Sequence, residues 1–479
     1  MKYIVTLVAC CIYSITLVAQ SLEIHQMNVG QGDGALIIVR DVVKLKAIIE
    51  KYAKKTKIPD NPAEYIRYAM SNNLDVKNTI KFAVLIDAGA GKAQADKIKK
   101  YMAKVGVKRV THSILSHFHG DHYGGLQYLF TQANNFPEIA AYDRGLNGEG
   151  PTISKTAEHT VYNRFENTMK KKHKTATLET NIALGDKINM QCIVADGETF
   201  DGIMKIKDED DALIDFTSSD ENDYSLGWIL QYGAFRFYTN GDLRGLPSEF
   251  HLETTLADAL RNHDKSKFVS VADGNALEGG HVCSFKVSHH GSAESTNDYF
   301  LTVIKPSTAI VSSGIQKKFL HPRIEVVEVL DAATKYKWNI QEWKDPEMKK
   351  DRSKFQYTNT IKNVFYTSMM NADLYETSGK YTDKQIQFIQ NTSNEKKSNG
   401  IVGGDIVLVV EDKNIDTESN YIVFWNGEKG DDVLISSEQI KSLQGKKAKQ
   451  PDAQNPKKAG LIRYQCHTAT QVKHYKYTK

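Results

Sequence analysis

A predicted strand from Arg109 to Leu115 runs straight into Ser116-His117-Phe118-His119-Gly120-Asp121-His122, so three imidazoles and a carboxylate share one short loop at a strand end. Few structural demands concentrate such side chains in this way, whereas a metal site requires it. Alternation along extended backbone sends His117 and His119 to one side, where two neutral imidazoles can hold a divalent cation at about 2.0 to 2.1 Å. The next turn aims Asp121 and His122 at a second position. Gly120 and the Gly124-Gly125 pair let the chain bend tightly into the following helix.

The surroundings of this loop read as alternating strands and helices. Leu22 to Asn28 alternates, and Ala35 to Val39 and Phe82 to Ile86 are β-rich runs, the latter ending in Asp87-Ala88-Gly89. A helical insertion over about 42–78 carries Val42, Leu45, Ile48, Ile49 and Tyr52 at helical spacing, and a helix with Ile98, Tyr101, Met102 and Val105 on one face precedes the histidine loop. Strand, helix and strand joined by short links predict an α/β architecture with ligands at the carboxyl ends of strands. Further strands are expected at Ser225–Tyr232 and Ala234–Thr239, joined at Gly233, then at Cys283–Ser288, Thr308–Ser312, Asp405–Val410 and Tyr421–Phe424. One domain with inserted loops therefore spans 21–425.

Two more elements suit a metal-binding loop. Asn240-Gly241-Asp242 closes the hairpin and presents a carboxylate at a strand end, a place suited to bridging two ions. The run Cys283–Ser288 ends in His289-His290-Gly291-Ser292, two adjacent imidazoles expected to point to opposite sides, one to ligate and one to serve as acid or substrate contact.

In this order, His117-x-His119-x-Asp121-His122, preceded by Asp87 and followed by Asp242 and His289-His290, resembles the metallo-β-lactamase fold superfamily. Asn28-Val29-Gly30-Gln31-Gly32-Asp33, Asn222–Leu226, the His-His-Gly-Ser run and His321-Pro322 look more narrowly like the extracytoplasmic hydrolase domain of ComEC-like DNA-uptake proteins, whose free-standing relatives include choline-phosphate esterases. The resemblance implies a four-layer αβ/βα sandwich with a dinuclear metal centre on the sheet edges. Carried over, His117 and His119 bind the first metal, Asp121 and His122 the second, and Asp242 bridges both. His290 joins the second metal, while Asp121 and His289 act in catalysis, His289 as proton donor or phosphate contact. Asp87 orients the histidine loop, and Asp33 and His321 line the rim. The family's third histidine for the first metal has no counterpart. His159 and His173 lie in unpatterned surroundings, and Asp196, at the end of Met190–Ala195, is expected to take its place as a ligand. The implied cofactors are two Zn²⁺ ions, with Mn²⁺ the alternative because oxygen donors suit it. They would activate a bridging water as hydroxide against an ester or phosphodiester. A phosphodiesterase or nuclease is the first reading; hydrolysis of another ester (a lactone, a choline-phosphate, a small metabolite) and a non-catalytic binding protein keeping the fold are the alternatives.

Met1-Lys2 and the apolar run Tyr3–Ala19, with small residues near Ala19, read as a signal over 1–20, which places the protein outside the cytoplasm as a periplasmic, secreted or envelope-associated protein. No later segment is apolar enough to span a membrane. Cys192, Cys283 and Cys466 would remain, too few for a disulfide scaffold and lacking zinc-ribbon spacing. The net charge of +4 divides unevenly, because Lys441–Lys479 holds ten Lys/Arg against Asp452 alone, leaving 4 − 9 = −5 for residues 1–440. The region 426–479 therefore reads as a basic tail outside the domain, able to contact nucleic-acid phosphates, with Tyr464, Tyr475 and Tyr477 offered to unpaired bases.

Overall fold

The apolar run Leu36-Ile37-Ile38-Val39 has no polar face, which suits a strand buried on both sides. In a computed structural model it forms the middle of strand β2 (Ala35–Asp41), and its side chains divide by parity. Leu36 and Ile38 pack against helices, while Ile37 and Val39 face a second sheet. The structure describes residues 19–469 except 55–56, 131–136, 147–156, 201, 204, 208–212, 216–219, 246–251, 264–267, 270–279, 315–317, 332–359, 370–371, 393–397, 413–414, 417 and 427–458. Residues 1–18 of the expected signal lie outside this description, and its last residue, Gln20, is the first of strand β1 (Gln20–Gln26). Among the described residues no helix is long and apolar enough to cross a membrane.

The first sheet is centred on β1 (Gln20–Gln26), β2, β3 (Ile80–Ile86) and β4 (His112–Ile114). β2 lies between β1 and β3 and is antiparallel to both, and β4 joins β3 in parallel. The second sheet is centred on β5 (Ile188–Ala195), β6 (Gly227–Tyr232), β7 (Phe235–Thr239), β8 (Ser284–Lys286) and β9 (Thr308–Val311). The expected hairpin is present, with Trp228 opposite Thr239 and Tyr232 opposite Phe235. Three apolar clusters separate the layers. One lies between the sheets, one between the first sheet and its helices, and one between the second sheet and helices that include Leu252–His263 and Ile324–Leu330. The architecture is the expected four-layer αβ/βα sandwich.

The insertion contains helices α1 (Val42–Ala53), capped by the Asp41 carboxylate, and α2 (Pro62–Ser71), capped by Asn61 with proline in the first turn. Its buried stripe on α1 is Leu45, Ile49 and Ala53; Tyr52 is exposed.

Two features depart from the sequence reading. β10 (Ile406–Val410) and β11 (Glu418–Trp425) pair as expected, but β10 also pairs with β1, carrying the end of the domain back to its start. The chain then continues into β12 (Gly460–Ala469), which pairs with β11. Part of the region read as a tail is therefore sheet. Ile462, Tyr464 and Cys466 alternate with Arg463 and Gln465, and Tyr464 and Cys466 are buried between the sheets, which removes Tyr464 from any base-stacking role.

On the helix side of β1 lies a buried polar network. Arg40 grips Glu23 with Nε at 2.6 Å and a second nitrogen at 3.0 Å, and His25 stands between Glu23 and the Tyr101 hydroxyl. Burial pushes the Glu23 carboxyl up, but Arg40 and His25 outweigh it and hold it at about 2. Glu23→Ala leaves the guanidinium buried and unpaired, so thermal or urea unfolding should show a loss of about 3 to 5 kcal/mol. The double change Glu23→Leu with Arg40→Met should recover most of that loss. Equal stability of the single variant and the parent would rule this account out.

Candidate metal centre

β3 ends in Asp87, whose φ of +54° turns its carboxylate back under the neighbouring strand end. Its Oδ1 accepts the Ser116 backbone N–H at 2.8 Å, and its Oδ2 accepts the Ser116 hydroxyl at 2.7 Å and lies 2.8 Å from His122 Nδ1. The start of the histidine loop and one of its rings are thus oriented by a single carboxylate. The loop enters a one-turn helix, Gly120–Tyr123. A Cβ on Gly124 would fall 2.1 Å from the Ala90 carbonyl oxygen, and one on Gly125 would fall 1.9 Å from that of Ala88. Both glycines are therefore required for this turn to pack on the end of β3.

His117 and His119 do lie on one side, with Nε2 of the first 3.1 Å from Nδ1 of the second. Asp242, delivered by the turn after β7, stands at the middle of the site. Its Oδ2 is 3.2 Å from His122 Nε2, 3.3 Å from His290 Nε2 and 3.7 Å from His289 Nε2. Asp121 Oδ2 is 3.5 Å from His290 Nε2. Among the described residues, donors close enough to share an ion form the groups His117–His122–Asp242 and Asp121–His122–His290, with further groups around Asp33. His122 belongs to both of the first two, and His119 faces its neighbour His117 without joining either.

The doubled histidine departs from expectation. His289, His290 and Gly291 take successive φ values of 48°, 54° and 80°, so the backbone coils left-handed. Two adjacent side chains on extended backbone diverge, but this coil turns both imidazoles toward Asp242. Left-handed geometry costs about 1 kcal/mol or more at each non-glycine residue. His290 is buried, while the His289 side chain keeps 17% exposure and is the more accessible ring. The His321 ring centroid lies 5.4 Å from that of His289 and 6.2 Å from that of His290.

Asp33 does not line a rim. Its N–H donates to the Asp121 carbonyl at 3.3 Å, and a Cβ on preceding Gly32 would meet that carbonyl oxygen at 2.2 Å, so the Gly-rich turn is pressed inward. Asp33 is buried against Lys286 and lies 3.5 Å from His290 Nδ1. Asp196 joins no three-donor group among the described residues. It faces Arg144 at 3.3 Å, and that guanidinium holds Glu221 through two contacts at 2.9 and 2.6 Å. Burial pushes the Asp196 carboxyl up to about 6. Glu221 accepts the Phe118 N–H at 2.8 Å, tying the segment 221–226 to the histidine loop. Next to it, Asn222 is 7% exposed, and its Oδ1 accepts no hydrogen bond. His173 pairs with Asp143 at 2.9 Å; the side chain of His159 lies outside the described residues.

Sequence reasoning missed Lys286, Glu253 and the Arg144–Glu221 pair. Glu253 accepts from the Ser288 hydroxyl at 2.7 Å and the Asn297 N–H at 3.0 Å, bracing the His289-His290 coil from behind. A lysine inside a buried strand that leads into a doubled histidine was the one available signal.

Burial alone would lower His122 and His290. Asp242 raises both well above an ordinary imidazole, helped by Asp87 at His122 and by Asp33 at His290. Burial would raise Asp242, but His122, His290 and His289 hold it well below the usual carboxylate range. Burial together with His122 and His119 holds His117 low. The ligand chemistry fits divalent ions, because His122 Nε2, His290 Nε2 and Asp242 Oδ1 are buried without a hydrogen-bond partner. Cation binding would exchange for protons there.

Residues 76–160, which include the histidine loop, match the family described as the Metallo-beta-lactamase superfamily. Over 45 residues it is 42% identical to ComE operon protein 3 of Bacillus subtilis, a stretch covering 9% of this chain and 6% of that protein. Zn²⁺-bound PqqB from Methylobacterium extorquens is similar at 10% identity, over 60% of this chain and 89% of that one, with a TM-score of 0.29. A diphosphatase of the PhnP family is similar at 12% identity, over 61% and 85% of the two chains, with a TM-score of 0.26.

Proposed function

We propose that the chain is an exported metal-dependent phosphodiester hydrolase. The observation carrying this reading is the position of Asp242, a buried carboxylate with one oxygen 3.2 and 3.3 Å from two buried imidazole nitrogens that form no hydrogen bond. His117, His119 and Asp242 would hold one divalent ion, and Asp121, His122, His290 and Asp242 the other. Arg144 engages Asp196 and takes it out of the set of donors. When bound, such ions supply Lewis-acid activation of water and of the ester oxygen.

The chain's own groups do the rest. Asp87 fixes the ring orientation of His122, which sets which nitrogen faces the site. His289 presents a ring that burial holds near 4, so it meets a substrate oxygen as a neutral hydrogen-bonding group. His321, which burial with His290 and His289 holds at about 3, extends that neutral wall. The resemblance of the Asn28–Asp33 and His-His-Gly-Ser motifs to ComEC-like DNA-uptake proteins, beside the 42% identity over 45 residues to ComE operon protein 3, favours phosphodiesters over other esters.

The test is hydrolysis of a chromogenic phosphodiester by protein loaded with Mn²⁺ or Zn²⁺. His119→Ala should lower the rate by roughly two to three orders of magnitude, about 3 to 4 kcal/mol of barrier. Undiminished hydrolysis in that variant removes the reading.

A further inference from the structure

The centre already contains a cation of its own. Lys286 is the last residue of β8, and its side chain is 3% exposed, so it does not meet a substrate. Its ammonium is ion-paired with Asp33, donates to the Gly241 carbonyl at 2.8 Å and lies 3.8 Å from Asp242 Oδ1. Asp33 arrives on a loop of the first sheet, whereas Gly241, Asp242 and Lys286 belong to the second. One side chain therefore clamps the two halves of the sandwich at the site.

Asp33, Asp242 and His290 place donor atoms within 4.8 Å of one another, close enough to share an ion. The Lys286 ammonium touches two of these three residues, so a metal in that corner would meet a unit charge at contact distance. We propose that Lys286 is a positioning residue whose ammonium, neutralised by Asp33, closes the Asp33–Asp242–His290 corner to divalent cations and fixes Asp242 for ions on its other side. This rests on the metal-centre reading above.

The charges give the proposal its sign. An ammonium buried beside metal ligands repels incoming divalent ions unless a carboxylate compensates it, and at protein dielectric constants that repulsion is large over several ångströms. Asp33 is the compensating group. Removing Asp33 alone exposes the ions to Lys286; removing both partners leaves the corner neutral again.

Mn²⁺ binding to the full chain, by calorimetry and by equilibrium dialysis with elemental analysis, distinguishes the outcomes. Asp33→Asn should weaken Mn²⁺ binding roughly tenfold or more without lowering the number of ions bound. Asp33→Asn with Lys286→Met should restore affinity to within about threefold of the parent. Lys286→Met alone should bind Mn²⁺ more tightly than the parent without gaining an equivalent, because the Asp33 carboxylate is then uncompensated beside the ions while His290 Nδ1 stays engaged by the Ser312 carbonyl. Unchanged affinity in Asp33→Asn overturns the proposal, as does a folded double variant that stays as weak as the single. Loss of an equivalent in Asp33→Asn also overturns it, since Asp33 would then be a ligand. Failure of the parent chain to bind Mn²⁺ defeats the metal-centre reading itself, a result distinct from tight parental binding with no rescue.

Discussion

Asp242→Ala is expected to remove at least about three orders of magnitude from phosphodiester hydrolysis, roughly 4 kcal/mol of barrier, and to lower metal content below that of any single histidine variant. Asp242 is the residue toward which His122, His290 and His289 all turn. Deleting it also removes the charge that raises His122 and His290. The variant should therefore fold, because the rings it leaves are more readily neutral, and neutral rings tolerate burial. Elemental analysis after dialysis, beside circular dichroism to verify folding, separates lost ligation from lost structure. A folded Asp242→Ala protein that keeps its metal and its rate would eliminate Asp242 as the bridge.

Why this carboxylate and the histidine loop were legible in the sequence is a matter of locality. His117, His119, Asp121 and His122 lie within six consecutive residues after a strand, and the turn after a hairpin delivers Asp242, so local patterns place each of them. The doubled histidine was legible in identity but not in direction. Alternation assumes extended backbone, and the left-handed coil at His289–Gly291 is held by contacts distant in sequence, such as Arg323 N–H to the Gly291 carbonyl at 2.8 Å. Asp33 was misplaced for a related reason. A Gly-rich turn reads as surface, yet Gly32 exists here because a side chain would collide with Asp121. Asp196 occupied about the right stretch of chain for a third ligand, but Arg144 lies 52 residues away in sequence and no local pattern announces their pairing. Lys286 shows the same limit, since its partners Asp33 and Gly241 come from two different sheets.

Removing residues 460–479 is expected to lower the melting temperature by about 10 °C or to make the protein insoluble, although composition alone marks this region as dispensable. The positive charges around β12 hide a strand whose alternate residues are apolar. Tyr464 stacks on Tyr421 with ring centroids 5.2 Å apart and donates its hydroxyl to Asn363 at 2.7 Å, a residue of the opposite sheet. Gly460 lies against the Trp425 ring so closely that a Cβ there would fall 2.2 Å from it. The truncation thus bares Tyr421 and Trp425, cuts one polar tie between the sheets and leaves β11 with an unpaired edge. Loss of one large buried aromatic side chain alone costs about 3 to 5 kcal/mol, and each net backbone hydrogen bond adds about 0.5 to 1.5 kcal/mol. At about 2 to 4 °C per kcal/mol for a large domain, the shift is well within calorimetric reach. An exposed edge strand also invites pairing with another chain, so light scattering should rise before activity falls. If the basic region acted only through its charge on nucleic acid, the truncated protein would melt where the parent does and lose nucleic-acid affinity alone. That outcome would place the Tyr464 contacts outside the forces that hold the sandwich together.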